Sequence, residues 1–209
     1  SQTAYLTATD ILKYAARVKT GLERVMLVNG CDLTEISFDH EDRDNYNTAG
    51  FYLNPNARED ESCNIFAENG GNVPYQPPPE AAQVHGGTEY NIQTNLEVSG
   101  IGAAGDADLM IVTFVTEDIC YHLNRILDIE NPAGVPPAFS AAGSLTIAAT
   151  ADESYPDFVP NASGMNTPIM NIGGDGPGEA AELARHKTGC FLASASLDKY
   201  VFYHVLVAQ

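Results

Sequence analysis

Four cysteines, Cys31, Cys63, Cys120 and Cys190, are the residues with the most definite chemistry in this chain. Thiols can pair, ligate a metal or attack a substrate, and their spacing separates these roles. No CxxC pair occurs, so neither a zinc ribbon nor a thioredoxin-like redox site is expected, and without CxxCH there is no covalent haem attachment. The even count allows two disulfides, in three connectivities. Proximity favours Cys31 with Cys63, a link from a helix end into a loop-rich segment. Cys120 with Cys190 would pin a second helix to the C-terminal strands. The rival reading of that second pair is metal binding. His122 follows Cys120 by two residues and His186 precedes Cys190 by four, a Cys2His2 set with spacings unlike those of structural zinc. Buried free thiols are the remaining alternative. Disulfides imply an oxidising compartment, the periplasm or the outside of the cell. Cysteines used in that way are staples and not nucleophiles.

Oxygen ligands concentrate in "DHEDRDNYN" (39–47), where Asp39, Glu41, Asp42 and Asp44 are a candidate calcium set. The glycine and the distal glutamate of an EF-hand loop are missing, so no metal is assigned and the default is a solvated acidic loop. "NIGGDGPGEAAELARH" (171–186) is a glycine-rich turn before a short helix, a geometry that can take phosphate on free backbone N–H groups. Asp175 and Glu179 place negative charge there and the Walker Lys-Ser/Thr is absent, so a turn and a helix cap explain the stretch. GxSxG and HExxH are absent, and no Ser, His and Asp spacing indicates a triad, so an enzyme is not expected and no cofactor is implied. His204 reads as a core histidine, His40 and His85 as exposed loop residues. Asn161 heads an NAS glycosylation sequon. Tyr46, Tyr52, Tyr75 and Tyr90 lie in loops, where aromatic rings suit recognition.

A small set of elements has to position these residues. Ile11, Ala15, Val18, Leu22, Val25 and Met26 step by three and four, which predicts a helix over residues 3–29. Thr7 and Asp10 have capping-box-like spacing, and Gly30 suits the position after the helix end. Leu12, Tyr14, Ala16 and Val28 widen the apolar stripe until only a narrow strip, Lys13, Arg17, Thr20 and Arg24, is polar. Such a helix should meet neighbours on two sides, its own sheet on one and a second molecule on the other. Gly21 costs about 1 kcal/mol relative to Ala and marks a kink or a close packing contact. Asp32 to Glu35 repeats the capping-box spacing, and "EISF" reads as a short strand. Residues 39–94 are loop-rich, with polyproline II at 77–79. Strands are expected at 94–102 and 107–115, joined as a hairpin. Thr116 caps a helix whose inward face is Ile119, Leu123, Ile126 and Leu127. "SLTIAAT" is a further strand, residues 178–186 a short helix, and "GCFLASAS" with "YVFYHVLVA" a final hairpin. Its last strand is apolar on both faces and so central. The expected fold is α+β: a long N-terminal amphipathic helix (1–30) packed on the antiparallel sheet of a loop-rich head (31–209), together one domain.

Bulk composition narrows the partners. Of 209 residues, 44% are hydrophobic, enough for a core, and 28 acids oppose ten Lys and Arg for a net charge of -18. Nucleic acid and anionic membrane surfaces are not expected partners, because a basic footprint is missing. The longest apolar run, "LMIVTFV" (109–115), falls well short of the roughly 18 residues of a membrane span. The chain opens on Ser1, which suggests a processed or trimmed product with any anchor lying before residue 1.

The order of elements resembles the head of a type IV pilin or pseudopilin-like protein. At finer grain, "ILKYAARVKTGLERVMLVNGC", "EISF", "NPNAREDESCNIF", "GGNVPYQPPP", "IENPAGVPP", "HKTGCF" and "YVFYHVLVA" are similar to segments of pilin-like proteins of alphaproteobacteria. Those carry one hydrophobic segment at the N-terminus and have no assigned activity. The resemblance implies a globular head outside the inner membrane, a helix running into a filament core, and self-association or other pilin-like subunits as partners. The expected function is an extracytoplasmic structural subunit of a surface filament or secretion pseudopilus. It would assemble through the face Ile11, Ala15, Val18, Leu22, Val25 and Met26, its basic strip meeting acidic loops of a neighbour such as residues 39–44. The alternative is a periplasmic or cell-surface binding module that uses the acidic, tyrosine-bearing loops.

Overall fold

The apolar stepping of the first thirty residues produces one helix, α1, Gln2–Leu27. In a computed structural model, residues 1–44, 46–48, 52–139, 170–194 and 199–209 are described. Because α1 begins at Gln2, Thr7 is not a cap but a buried residue of the second turn. The other end follows expectation: Gly30 takes φ +64°, which lets the Cys31 N–H reach back to the Val25 carbonyl at 3.0 Å. Arg58 completes that end. Its guanidinium donates to the carbonyls of Asn29 and Gly30, both at 3.0 Å, and pairs with Glu35, so a cation sits at the negative end of the helix dipole. Gly21 is a packing contact: a Cβ there would run into the Val73 side chain and against the Gly71 carbonyl.

Contacts among the described residues gather into two compact units, and the division falls within α1. One holds Ser1–Lys13 and the described chain from Pro77 on; the other is Tyr14–Gln76. In the second unit "EISF" is not a strand. The Asp32–Glu35 capping box is present, but it opens a single 3-10 turn, Leu33–Glu35, after which Ser37 forms one isolated bridge with Asn64. Regular pairing does not extend to the residues before Ser37, where Asn54 donates to the carbonyls of Thr34 and Ile36 at 2.7 Å, satisfying backbone that a strand would otherwise pair.

The first unit contains a five-stranded sheet: β1 (Asn91–Val98), β2 (Asp108–Val115), β3 (Met170–Ile172), β4 (Thr188–Ser194) and β5 (Lys199–Val207), in the order β3-β1-β2-β5-β4. The β1–β2 and β4–β5 pairings are antiparallel, as expected, and β5 is an interior strand between β2 and β4, with β2 at the centre. The sheet is mixed and not purely antiparallel, because β3 lies parallel to β1 through Leu96–Met170, Glu97–Asn171 and Val98–Ile172. Three residues carry too little periodicity to announce a strand from sequence. One face buries Leu96, Val98, Met110, Val112, Val201 and Tyr203 around Phe191 and Leu183. Helix α2, Glu117–Ile126, is capped by Thr116 as expected and packs on β4 and β5. The helix expected over 178–186 is only a 3-10 turn, Ala181–Leu183. The "SLTIAAT" strand and the Asn161 sequon lie outside the described residues.

Sheet edge β4 is closed by a side chain. Asn124 of α2 is fully buried, donates through Nδ2 to the Cys190 carbonyl at 2.9 Å and accepts the Cys190 N–H at 2.9 Å. One carboxamide thus imitates a strand neighbour. Two residues on, the Leu192 N–H donates to the Pro137 carbonyl and the Leu192 carbonyl accepts from Phe139. An edge filled in this way is not a template for strand addition.

Candidate functional site

Cysteine chemistry resolves first. Cys31 bonds to Cys63 and Cys120 to Cys190, with Cα separations of 5.8 and 5.3 Å. Closing 32 and 70 residues of chain, each contributes about 4 kcal/mol in the loop-entropy picture. The zinc reading is thereby excluded for Cys120 and Cys190. His122 instead lies 3.1 Å from the Ser1 amino group and 3.4 Å from Asp118, and the His186 carbonyl accepts the Tyr203 hydroxyl at 2.8 Å. Two disulfides fit an oxidising compartment. No helix among the described residues is long and apolar enough to cross a membrane.

The acidic turn is organised by an arginine and not by a metal. Arg43 is 5% exposed. Its guanidinium carbon sits 3.9 Å from the Tyr52 ring centre and 5.3 Å from that of Tyr75, with Phe66 at 5.7 Å. Nε donates to the Phe38 carbonyl at 2.8 Å. His40 stacks on the other partner, Tyr75, with ring centres 4.5 Å apart. Asp39 is buried beside this group; burial raises its pKa, opposed by the N–H donors of Asn47 and His40 and by the charge of Arg43. Its two carboxylate oxygens accept the His40 and Asn47 backbone N–H groups. Glu41, Asp42 and Asp44 point to solvent. The calcium set therefore does not converge: one oxygen pair is spent on the backbone and the other three residues face outward. No group of three or more metal-ligating residues forms among the described residues.

The loop tyrosines divide by burial. Tyr52 and Tyr90 are buried, Tyr75 is half-buried against Arg43, and Tyr46 is 52% exposed. Most of the aromatic surface available for recognition is therefore used internally. The glycine-rich stretch is also occupied: the Glu179 carboxylate accepts the Gly176 N–H at 3.0 Å, the position an anion would take. His204 pairs through Nδ1 with the Thr188 hydroxyl at 2.5 Å on the neighbouring strand. His40 packs among aromatics, whereas His85 is exposed as expected, with its ring edge-on to Phe114 at 5.9 Å.

Helix α1 presents the opposite of what its sequence stripe implies. Ile11, Ala15, Val18, Leu22 and Val25 are buried within the chain and Met26 is half-buried, so that stripe is consumed by the fold. What reaches solvent includes the strip Lys13, Arg17, Thr20 and Arg24, with Ala16 and Glu23 beside it, followed by Leu27 and Val28, 83% and 75% exposed; Tyr5 and Leu6 are exposed near the other end. Four of the chain's ten basic residues lie on α1, against two acids, Asp10 and Glu23. None of Lys13, Arg17, Lys19 and Arg24 forms an ion pair with the described residues.

Two organising residues escape sequence reasoning. Arg43 is signalled only as the single base in an acidic run, and Asn124 only as a carboxamide four residues after Cys120 on an otherwise apolar helix face. No family model, curated protein or solved structure matches the chain.

Proposed function

We propose that this protein is a non-enzymatic, extracytoplasmic structural subunit that self-associates through the outward face of α1, as a pilin-like head in a surface filament or secretion pseudopilus would. The observation that carries the reading is that face: Arg17 and Arg24, which form no ion pair among the described residues, running into exposed Leu27 and Val28, on a chain of net charge -18. An exposed pair of large aliphatic residues beside concentrated positive charge suits a partner that is acidic and partly apolar. Another copy meets both conditions. The buried stripe Ile11 to Val25 then serves internal packing, and the disulfides keep a head with long irregular segments intact outside the reducing cytosol.

Sedimentation at low and high ionic strength tests the reading. Self-association is expected below about 0.1 M salt, where the Debye length exceeds 10 Å, and should weaken as salt rises. A chain that stays monomeric at every salt and protein concentration refutes it.

A further inference from the structure

We propose that the turn from His40 to Arg43 is an acid-sensitive latch, closed by the neutral imidazole of His40 and opened when that ring takes up a proton. The latch is independent of the self-association proposed above.

One hydrogen bond carries the inference. The Asp42 backbone N–H lies 3.1 Å from His40 Nδ1. A backbone N–H can only donate, so Nδ1 must present its lone pair and the ring proton must sit on Nε2. His40 also closes the turn through its backbone, its carbonyl accepting the Arg43 N–H at 2.9 Å. Packing holds the ring in place. It is half-buried, stacks on Tyr75 with centres 4.5 Å and planes 8° apart, and meets Phe66 edge-on at 5.6 Å. The Asp39 carboxylate holds the His40 N–H at 3.1 Å. A proton arriving at Nδ1 therefore sets one N–H against another at the point where the turn is held shut.

Surrounding charges decide whether that loss is offset. Asp42 Oδ2 is 3.6 Å from Nδ1, but its side chain is 71% exposed, so a pair with the imidazolium is screened and weak. Arg43 and Asp39 are both buried beside the ring; the first repels a second cation and the second attracts it, so they act in opposite senses. Glu41 and Asp44 are exposed. Around the cage stand Tyr52 and Tyr75, with Tyr14 of α1, whose hydroxyl accepts the Gln76 N–H and feels the Arg43 charge. These phenols stay uncharged between pH 5 and 8. The lost acceptor is left to set the sign. Because the turn ends on Arg43, opening it also frees the backbone of the residue on which the aromatic rings are packed.

NMR over the interval in which imidazoles ordinarily change charge, pH 8 to 5, tests the latch. Side-chain nitrogen shifts at pH 8 should show His40 with its proton on Nε2. As His40 titrates, protection of the Asp42 amide from hydrogen exchange, corrected for the intrinsic pH dependence, should fall about fivefold, the factor that corresponds to one net hydrogen bond. His40→Asn places a carbonyl oxygen where Nδ1 stands and does not titrate, so its Asp42 amide should be equally protected at both ends of the range. A ring proton on Nδ1 at pH 8 overturns the inference, as does Asp42 protection that stays constant while His40 titrates. Loss of protection in His40→Asn over the same interval overturns it too, by assigning the change to a carboxylate such as Asp39. The first two readings are made on the unmodified chain and stand whether or not the variant folds.

Discussion

Replacing Arg43 by Met should destabilise the loop-rich unit by about 3 kcal/mol. The Met side chain keeps the apolar stem that packs against Tyr52 and Tyr75, so the loss isolates the guanidinium. The Nε hydrogen bond to the Phe38 carbonyl, made by a charged donor, is worth about 1.5–3 kcal/mol. The desolvated contact with the Tyr52 ring at 3.9 Å adds about 2 kcal/mol. Against these stands the recovered cost of burying a cation, a few kcal/mol, only part of which returns because the buried Asp39 carboxylate loses its nearby positive charge. Arg43→Lys keeps the charge but loses the planar stack and the Nε donor, and should cost about 1–2 kcal/mol. Equilibrium urea unfolding with both disulfides intact measures each value. Tyrosine emission serves as the probe, since the chain has ten Tyr and no Trp. A loss below about 1 kcal/mol for the Met variant, or a Lys variant less stable than the Met one, refutes the anchoring argument.

Asn124→Ala should cost about 3–5 kcal/mol in the same assay, since it strands the buried N–H and carbonyl of Cys190 together; Asn124→Asp should also be destabilising because it faces that carbonyl with a second acceptor, and a near-neutral Ala variant contradicts the edge-closing role. Gly21→Ala gains about 1 kcal/mol in helix propensity but meets Val73, so a net loss of about 1–2 kcal/mol is expected, restored by adding Val73→Ala; a stabilised single variant would show that the contact yields. Burial raises the Asp108 pKa, with the charge of Glu97 adding and the Val98 and Gln209 N–H donors and Lys187 opposing. For such a carboxyl the favourable contribution is complete below the unfolded value, about 3.9, and is lost as pH rises through the folded value. Carboxyl NMR should place the Asp108 midpoint above that ordinary value, and acidification through this window should favour the native protein over Asp108→Asn. A midpoint at or below the ordinary value rules the burial argument out.

Local chemistry was legible wherever one element or one short spacing carries it. The stepping of Ile11 to Met26 defines α1, Gly30 ends it, Thr116 starts α2, and the unbroken apolarity of the last strand places β5 between two neighbours. Both disulfides follow the sequence-favoured pairing. These features depend on periodicity, on backbone φ and on caps, which act over a few residues. Where a side chain works at long range, sequence was silent. β3 exists through three residues laid beside β1, and Asn124 reaches a partner 66 residues away.

The sequence by itself therefore determined the longer elements, α1, α2, β1, β2, β4 and β5, the acidity, and through the paired cysteines the kind of compartment they suit. Only the tertiary structure decided which surface of α1 remains available. A helix wheel shows that one face is apolar; it does not show whether that face is already covered, because coverage is supplied by residues distant in the chain. Packing buried the stripe that reads as an assembly face and left the basic strip exposed. It likewise turned the apparent calcium loop inside out, drawing one arginine in among aromatic rings and sending three carboxylates to the surface.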